Sequence, residues 1–230
     1  MAWQIKAESN IDLVKQLHDF GAVKSELVMK VMKETDRKFY NHIPNPYIDQ
    51  SEPIGNEESI PAPHMHAYAL ENLYEFVKPD SKILDIGAGS GYLTACFARL
   101  IETKAAECNT IPTGMVISIE HKPELVKLAI ENINDDDPNF IREGRIKIIE
   151  ADAKKGCMEY APYDVIHVGA AAPEMPTDII RQLKVDGRML CPVSVKGGTQ
   201  QMEQYDRINF KDVIRRVLTN VVYVPIKELA

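Results

Sequence analysis

Apolar residues recur at Leu13, Val14, Leu17, Phe20, Val23, Leu27, Val28 and Val31 with helical spacing, interrupted near Gly21. This predicts two short amphipathic helices over 11–33, forming an N-terminal helical cap. Residues 36–55 lose all periodicity and carry Pro46 and Pro53, which predicts an ordered loop on the surface. A stretch of that length in a compact protein is more often functional than idle. Helical spacing returns with Tyr68, Leu70, Leu73, Tyr74 and Val77, a helix over 67–77 whose entry is set by Pro61 and Pro63. Short apolar runs then predict strands at 83–86, 115–119, 146–149, 163–168 and 188–193, with helices at 92–101, 123–134 and 179–183 between them. Residues 102–113 are polar, contain Pro112 and read as a surface loop. Asp135-Asp136-Asp137 reads as a solvated loop ending the helix before it, and Asp186-Gly187 as a turn. Residues 200–207 and 213–224 supply further strands, read as antiparallel. The alternation specifies a single α/β domain: a doubly wound, mostly parallel sheet with a helical cap at its start and antiparallel strands at its end.

Composition narrows the class of partner. The 230 residues are 45% hydrophobic, ordinary for a soluble domain, and 34 acidic against 27 basic residues give a net charge of −7. That balance offers no electrostatic reason to expect nucleic acid or an anionic membrane surface. No apolar run approaches the roughly 20 residues of a spanning helix, and the first residues lack a signal peptide's apolar stretch, so the expected location is the cytoplasm. Cys96, Cys108, Cys157 and Cys191 are far apart and form no Cys-x-x-Cys pair, so they read as reduced thiols, two of them buried.

The candidate chemistry centres on Asp85-Ile86-Gly87-Ala88-Gly89-Ser90-Gly91, where a short apolar strand breaks into a glycine loop and a helix follows. Glycines there let a ligand approach bare backbone. A dinucleotide needs its pyrophosphate seated on the next helix, whereas a cofactor without phosphates needs backbone contacts and carboxylates for amine and ribose. Asp85, Glu120 and Asp152 suit the second kind. Glu120 ends the second strand, where a carboxylate accepts hydrogen bonds from ribose hydroxyls, although it lies further along than the roughly 20 residues of the dinucleotide fingerprint. Asp152, beside Ala153, either accepts from an adenine amino group or caps the next turn. His64 and His66 lack accompanying ligands at metal spacing, so polar contacts to a ligand, or simple hydrogen bonding, are the readings left. The small residues of 169–173, at the end of the fourth strand, leave open space for a substrate.

The glycine loop with strand-end Glu120 resembles the S-adenosylmethionine site of class I methyltransferases. Nearly the whole chain is similar to the protein-L-isoaspartate O-methyltransferase family. The resemblance rests on Met1-Ala2-Trp3, Thr35-Asp36-Arg37, Asn45-Pro46-Tyr47-Ile48-Asp49, Ala62-Pro63-His64-Met65-His66-Ala67-Tyr68, Ala161-Pro162-Tyr163-Asp164, His167-Val168-Gly169-Ala170-Ala171-Ala172-Pro173 and Glu203-Gln204-Tyr205-Asp206. It implies a monomeric Rossmann-like methyltransferase that methylates the α-carboxylate of L-isoaspartyl residues in damaged proteins and peptides. The ester then closes to a succinimide, whose hydrolysis regenerates some aspartate. Residues 1–78 would be the cap and substrate segment, and 79–230 the cofactor-binding core. The same resemblance implies cofactor contacts from Ser59, Ile60, His66, Asp85, Ile86, Gly87, Ala88, Gly89, Ser90, Gly91, Glu120, His121, Asp152, Ala153 and Gly169. It implies substrate contacts from Ala62, Pro63, His64, Ala171, Ala172, Val222 and Tyr223, with no metal and no nucleic-acid partner.

Three features depart from the family's pattern. Pro61 stands where the family usually has a serine whose hydroxyl touches the reacting carboxylate, so the catalytic contact is expected from Ser59 Oγ or a backbone N–H of the Ser59 and Pro61 segment. Residues 102–113 are longer than the family's norm and read as a surface insertion. The sequence stops soon after Tyr223-Val224-Pro225, so C-terminal contacts to cofactor are expected to be absent or altered. A methyltransferase for another acceptor and a non-catalytic cofactor-binding module are the alternatives.

Overall fold

A computed structural model describes residues 5–195 and 197–226. The Met1-Ala2-Trp3 part of the resemblance therefore lies outside the described residues. Helices α1 (Asn10–Asp19) and α2 (Glu26–Glu34) form the cap, each opened by a serine, Ser9 or Ser25, whose side chain accepts from a first-turn N–H. Gly21, at φ 77°, makes the break between them.

The segment after α2 differs from the expected surface loop. A 3-10 turn over Arg37–Phe39 is followed by a hairpin of β1 (Glu52–Gly55) and β2 (Glu58–Ile60). Strands this short show no period, and the turn uses Asn56 and Glu57 at φ 52° and 61° in place of a recognisable Asn-Gly pair. The segment is also partly interior, because Arg37, Tyr40, Asn41 and Asp49 are buried. Helix α3 (Pro63–Leu73) starts at the proline, which fits the first helical position because it has no N–H to leave unpaired.

The core continues with β3 (Lys82–Ile86), α4 (Tyr92–Glu107), β4 (Met115–Glu120), α5 (Pro123–Asp136), α6 (Asn139–Arg142) and β5 (Ile146–Glu150). It ends with β6 (Tyr163–Val168), α7 (Thr177–Ile180), β7 (Leu183–Ser194), β8 (Gln200–Arg207) and β9 (Val213–Val221). The large sheet has seven strands in the order β5-β4-β3-β6-β7-β8-β9; the first five run parallel and the last two antiparallel, as the sequence predicts. Alternate strand residues face opposite layers. Ile83, Val116 and Val165 pack with the α1 to α4 side, while Leu84, Ile117 and Ile166 pack on the other face. Strand order reverses at β3, which opens a crevice at the carboxyl ends of β3, β4 and β6.

Four local readings change. Residues 102–107 extend α4 rather than forming a loop; their polar side chains alternate with buried Thr103 and Ala105, a face too small to register as apolar. Asp136 is the last residue of α5 and is not solvated: its side chain is 4% exposed, pairs with Arg99 at 2.7 Å and accepts from the Tyr40 hydroxyl at 2.5 Å. Helix α7 stops at Ile180, and Leu183 opens β7. The Asp186-Gly187 turn lies inside β7 as a bulge, where a Cβ on Gly187 would come within 2.8 Å of the Asp164 carbonyl. Cys96 and Cys191 are buried free thiols, Cys157 is half-buried and Cys108 exposed.

Candidate active site

The glycine loop is held by its neighbours before any ligand enters. Gly87 and Ala88 N–H groups both donate to the Ile119 carbonyl, at 2.8 and 3.1 Å, and Gly169 N–H donates to the Ile86 carbonyl at 2.7 Å. Three glycines of the loop, Gly87, Gly89 and Gly91, have φ of 89°, 52° and 88°. Side chains rarely adopt that left-handed region. Gly91 has a second reason, since a Cβ there would lie 3.1 Å from Ile133 of α5.

Parallel pairing sets a polar layer under the loop. Asp85 of β3 is level with Ser118 of β4 and His167 of β6. Asp85, 2% exposed, accepts from Thr94 Oγ1 at 2.6 Å and lies 2.9 Å from His167 Nδ1. At the end of β4, Glu120 accepts from Gly89 N–H at 3.1 Å and from His121 N–H at 2.8 Å. Two buried carboxylates thus stand at adjacent strand ends with no lysine or arginine lining the space between them among the described residues. That charge pattern suits hydroxyl and ammonium groups and repels phosphate.

These groups line a cavity beside the glycine loop. Asp85, Ile86, Gly87, Ala88, Gly89 and Ser90 form its floor, and Glu120, His121 and Ala153 one wall. Ser59, Ile60, Pro61, His66 and Gly169 also line it. The cavity joins a broader groove at Ser59, Pro61 and Gly169, which line both. The groove runs along Met65, Tyr68 and Asn72 of α3 and past the end of β9, and a family model for protein-L-isoaspartate(D-aspartate) O-methyltransferase matches residues 8–230, the whole of this architecture. The chain belongs to the protein-L-isoaspartate O-methyltransferase family.

Relatives match it along nearly its whole length. Protein-L-isoaspartate O-methyltransferase 1 of Arabidopsis thaliana is 39% identical over 219 residues, 94% of this chain and 90% of that protein. The protein-L-isoaspartate O-methyltransferase of Caenorhabditis elegans is 37% identical, covering 98% of this chain and 96% of its own. A Plasmodium falciparum protein described as a beta-aspartate methyltransferase (PCMT), solved in complex with S-adenosyl-L-homocysteine, superimposes with a TM-score of 0.87 at 31% identity over 96% of this chain and 99% of that one.

Most residues expected at the family's site are brought together, and some are not. Ala62, His64, Val222 and Tyr223 line the groove. Pro63 is buried in the first turn of α3 and lines neither space. Ala171 and Ala172, 0% and 2% exposed, leave no open room: Ala171 N–H donates to Val224 O at 2.8 Å, Ile226 N–H donates back to Ala171 O, and Ala172 bridges Val193. Only Gly169 and Ala170 of that run face the cavity. Gly91 packs α4 on α5, and Asp152 accepts from Lys154 N–H at 2.9 Å, capping its own turn; neither lines the cavity. The terminal segment does reach the site, since Val224, Pro225 and Ile226 line the cavity.

Sequence reasoning passed over His167 and Tyr92 as site residues. His167 carries a visible signal, a polar residue inside the apolar run Val165-Ile166-His167-Val168, at the same level as Asp85 in its own run. His64 is held by a buried Asp49, with Nδ1 at 2.8 Å from Oδ2.

His66 is buried, and burial, reinforced by the nearby Arg37 charge, holds its pKa well below the ordinary 6.5. It is neutral when folded, while in the unfolded chain it protonates near its ordinary value. The unfolded state therefore binds more protons below that value, so the contribution is complete above about pH 6.5 and declines as pH falls. Stability is expected to drop by up to about 1.4 kcal/mol per pH unit below about pH 6.5 from this group. Urea unfolding midpoints across that range, compared with His66→Gln, check it; an equally steep acid limb in the variant rules the assignment out.

Proposed function

We propose that the joined cavity and groove transfer a methyl group from S-adenosyl-L-methionine to the α-carboxylate of an L-isoaspartyl residue, the repair reaction named by the family. The observation that carries this reading is the junction at Ser59, Pro61 and Gly169: a cavity with paired carboxylates opens there into a larger groove along α3 and the residues that follow β9. The residues fit the cofactor. Gly87, Ala88 and Gly89 offer bare backbone, Glu120 a carboxylate for ribose hydroxyls, and Asp85 a buried anion beside the loop. When bound, the cofactor supplies a methyl group on a sulfonium sulfur, already activated for transfer.

The chain's own work is then positioning. An isoaspartyl α-carboxylate is ionised at neutral pH, so no general base is needed to make it a nucleophile. The walls formed by Ser59 to Pro61 and by Gly169 hold the acceptor oxygen toward the cavity and exclude water. Pro61 has no N–H to offer, and its carbonyl is occupied by Arg37, which leaves Ser59 Oγ, on the exposed edge of β2, as the side-chain donor at the junction. Ala62 and His64 on one side of the groove, with Val222 and Tyr223 on the other, would grip the flanking peptide. After release the neighbouring backbone nitrogen attacks the methyl ester, loses its proton and expels methanol to give a succinimide, and hydrolysis returns part of it to aspartate.

The site is assembled from a single chain, and the acting unit in this reading is a monomer. Protein and peptide acceptors are favoured over nucleic acid by the net charge of −7 and by a cavity lined without lysine or arginine among the described residues. Among those residues no helix is long and apolar enough to cross a membrane, and the four cysteines are free thiols; a cytoplasmic location suits both.

Tritiated methyl transfer to an isoaspartyl peptide, run beside its normal aspartyl twin, tests the reading. Label is expected in the isoaspartyl peptide alone. Label in both, or in neither, overturns it.

A further inference from the structure

Arg37 is completely buried, yet no carboxylate pairs with it among the described residues. Burying a cation without a counter-ion is among the least favourable arrangements a protein can hold. Elsewhere this chain avoids it: Arg99 meets Asp136 at 2.7 Å, and Arg188 meets Asp206 at 2.7 Å. Arg37 instead donates to the Pro61 carbonyl at 2.6 Å and to His66 Nδ1 at 3.2 Å, and its guanidinium carbon sits 5.4 Å from the centre of the Tyr92 ring. Its Nε has no hydrogen-bond partner among the described residues. The acidic groups that face it, Asp49 and Glu52, act only through space, and Asp49 is already bonded to the ring and backbone N–H of His64. Pro61, His66 and Tyr92 all line the cavity, so the charge lies directly behind the wall where cavity and groove meet.

Resting on the function proposed above, we infer that Arg37 is the positioning residue of the acceptor site: it fixes the Pro61 wall from behind and supplies the positive potential that draws the acceptor carboxylate to it. Pro61 can donate no hydrogen bond of its own, so beside the Ser59 hydroxyl the attraction at this wall comes from the charge behind it. The poorly screened interior lets a charge act across one residue's thickness far more strongly than it would in water. Burial lowers the Arg37 pKa to about 10, which still leaves it charged at neutral pH. Its bond to Nδ1 also settles the His66 tautomer, because an arginine can only donate; the ring hydrogen is on Nε2.

The kinetic signature follows from the chemistry of the acceptor. The carboxylate is an anion when it binds and loses its charge as the ester forms, so a cation beside it favours the bound ground state over the transition state. Removing that charge therefore raises acceptor KM without lowering kcat, which stays level or rises modestly. A residue that merely props up the fold would disturb cofactor and acceptor together.

The experiment uses Arg37→Gln and Arg37→Lys in the full chain. For Arg37→Gln, the KM for an isoaspartyl peptide is expected to rise about tenfold or more, with kcat and the calorimetric Kd for S-adenosylhomocysteine each within about threefold. Arg37→Lys, keeping charge but not the forked geometry, is expected to recover part of the KM. An unchanged acceptor KM in Arg37→Gln, or parallel losses of cofactor and acceptor affinity, overturns the inference. Should the variants fail to fold, the native protein decides. With S-adenosylhomocysteine present, it should bind the isoaspartyl peptide about tenfold or more tightly than the twin carrying an α-carboxamide, and equal binding overturns the inference. Failure of the native enzyme to methylate the isoaspartyl peptide would instead count against the function itself.

Discussion

Glu120→Ala is expected to weaken S-adenosylhomocysteine binding by roughly 100-fold or more, read by calorimetry. The Glu120 carboxylate is 5% exposed and already holds the site together: Oε2 accepts from Gly89 N–H, and Oε1 from the N–H groups of His121 and Lys122. Oε1 also lies 2.8 Å from His121 Nδ1, and Glu120 lines the cavity beside the glycine loop. Hydrogen bonds from neutral hydroxyls to a charged acceptor contribute about 1.5–3 kcal/mol each, and two from a ribose reach the stated loss at about 1.4 kcal/mol per tenfold. Truncation also releases the Gly89 end of the loop, which adds to the effect. Glu120→Gln should fall between, because an amide keeps one acceptor oxygen but turns an N–H group toward donors it cannot satisfy. A Kd within about threefold of the native value in Glu120→Ala would remove Glu120 from cofactor recognition.

Much of this site is legible in the sequence. Glycine loop, strand-end Glu120 and the doubly wound order all leave local signals: a break in apolar periodicity, a carboxylate at a strand end, alternation of two periods. The residues that were missed, or misplaced, share another property: their roles are set by partners distant in sequence. Asp136 looks like part of a solvated acidic run until Tyr40 and Arg99 close over it. Ala171 and Ala172 look like open space until the 224–226 segment returns to pair with Ala171. Asp152 and Gly91 match positions where ligand contact is plausible, yet the first is used by its own turn and the second by α5. Arg37 is the sharpest case. In sequence it is one charge in a polar stretch, Asp36-Arg37-Lys38, and nothing local marks it as buried; its neighbour Lys38 has a half-exposed side chain.

The cap consequently belongs to the chemistry. Helix α2 leads into the Arg37–Phe39 turn, which delivers a charge behind Pro61, while Tyr40 and Asp136 fasten the same turn to α5 of the cofactor core. Glu71 of α3 accepts from Lys24 and Ser25 N–H at the start of α2, tying the groove wall to the cap. A substrate wall fastened in this way to both layers can keep its distance from the cofactor floor, which a reaction governed by positioning requires.

Gly169→Val is expected to lower methyl transfer by about a hundredfold or more, because about 1 Å of misplacement between reacting groups already has that effect. Gly169 lies where cavity and groove meet, with its N–H bonded to the Ile86 carbonyl at 2.7 Å. It is not one of the positive-φ glycines, so a side chain is permitted by its backbone and the obstruction is purely one of space. A Cβ there would stand 3.2 Å from the Ile86 carbonyl oxygen, 3.3 Å from that of Gly87 and 3.6 Å from His167 Cε1. Two of those neighbours are backbone of the glycine loop, which cannot swing aside as a side chain could. The added branches of valine must therefore either fill the junction or push the cofactor floor away from the Pro61 wall. Gly169→Ala, which adds the Cβ alone, should retain measurably more turnover than valine. Valine turnover within about threefold of native, in a variant shown to be folded by its unfolding midpoint, would mean that the acceptor and cofactor do not meet at Gly169.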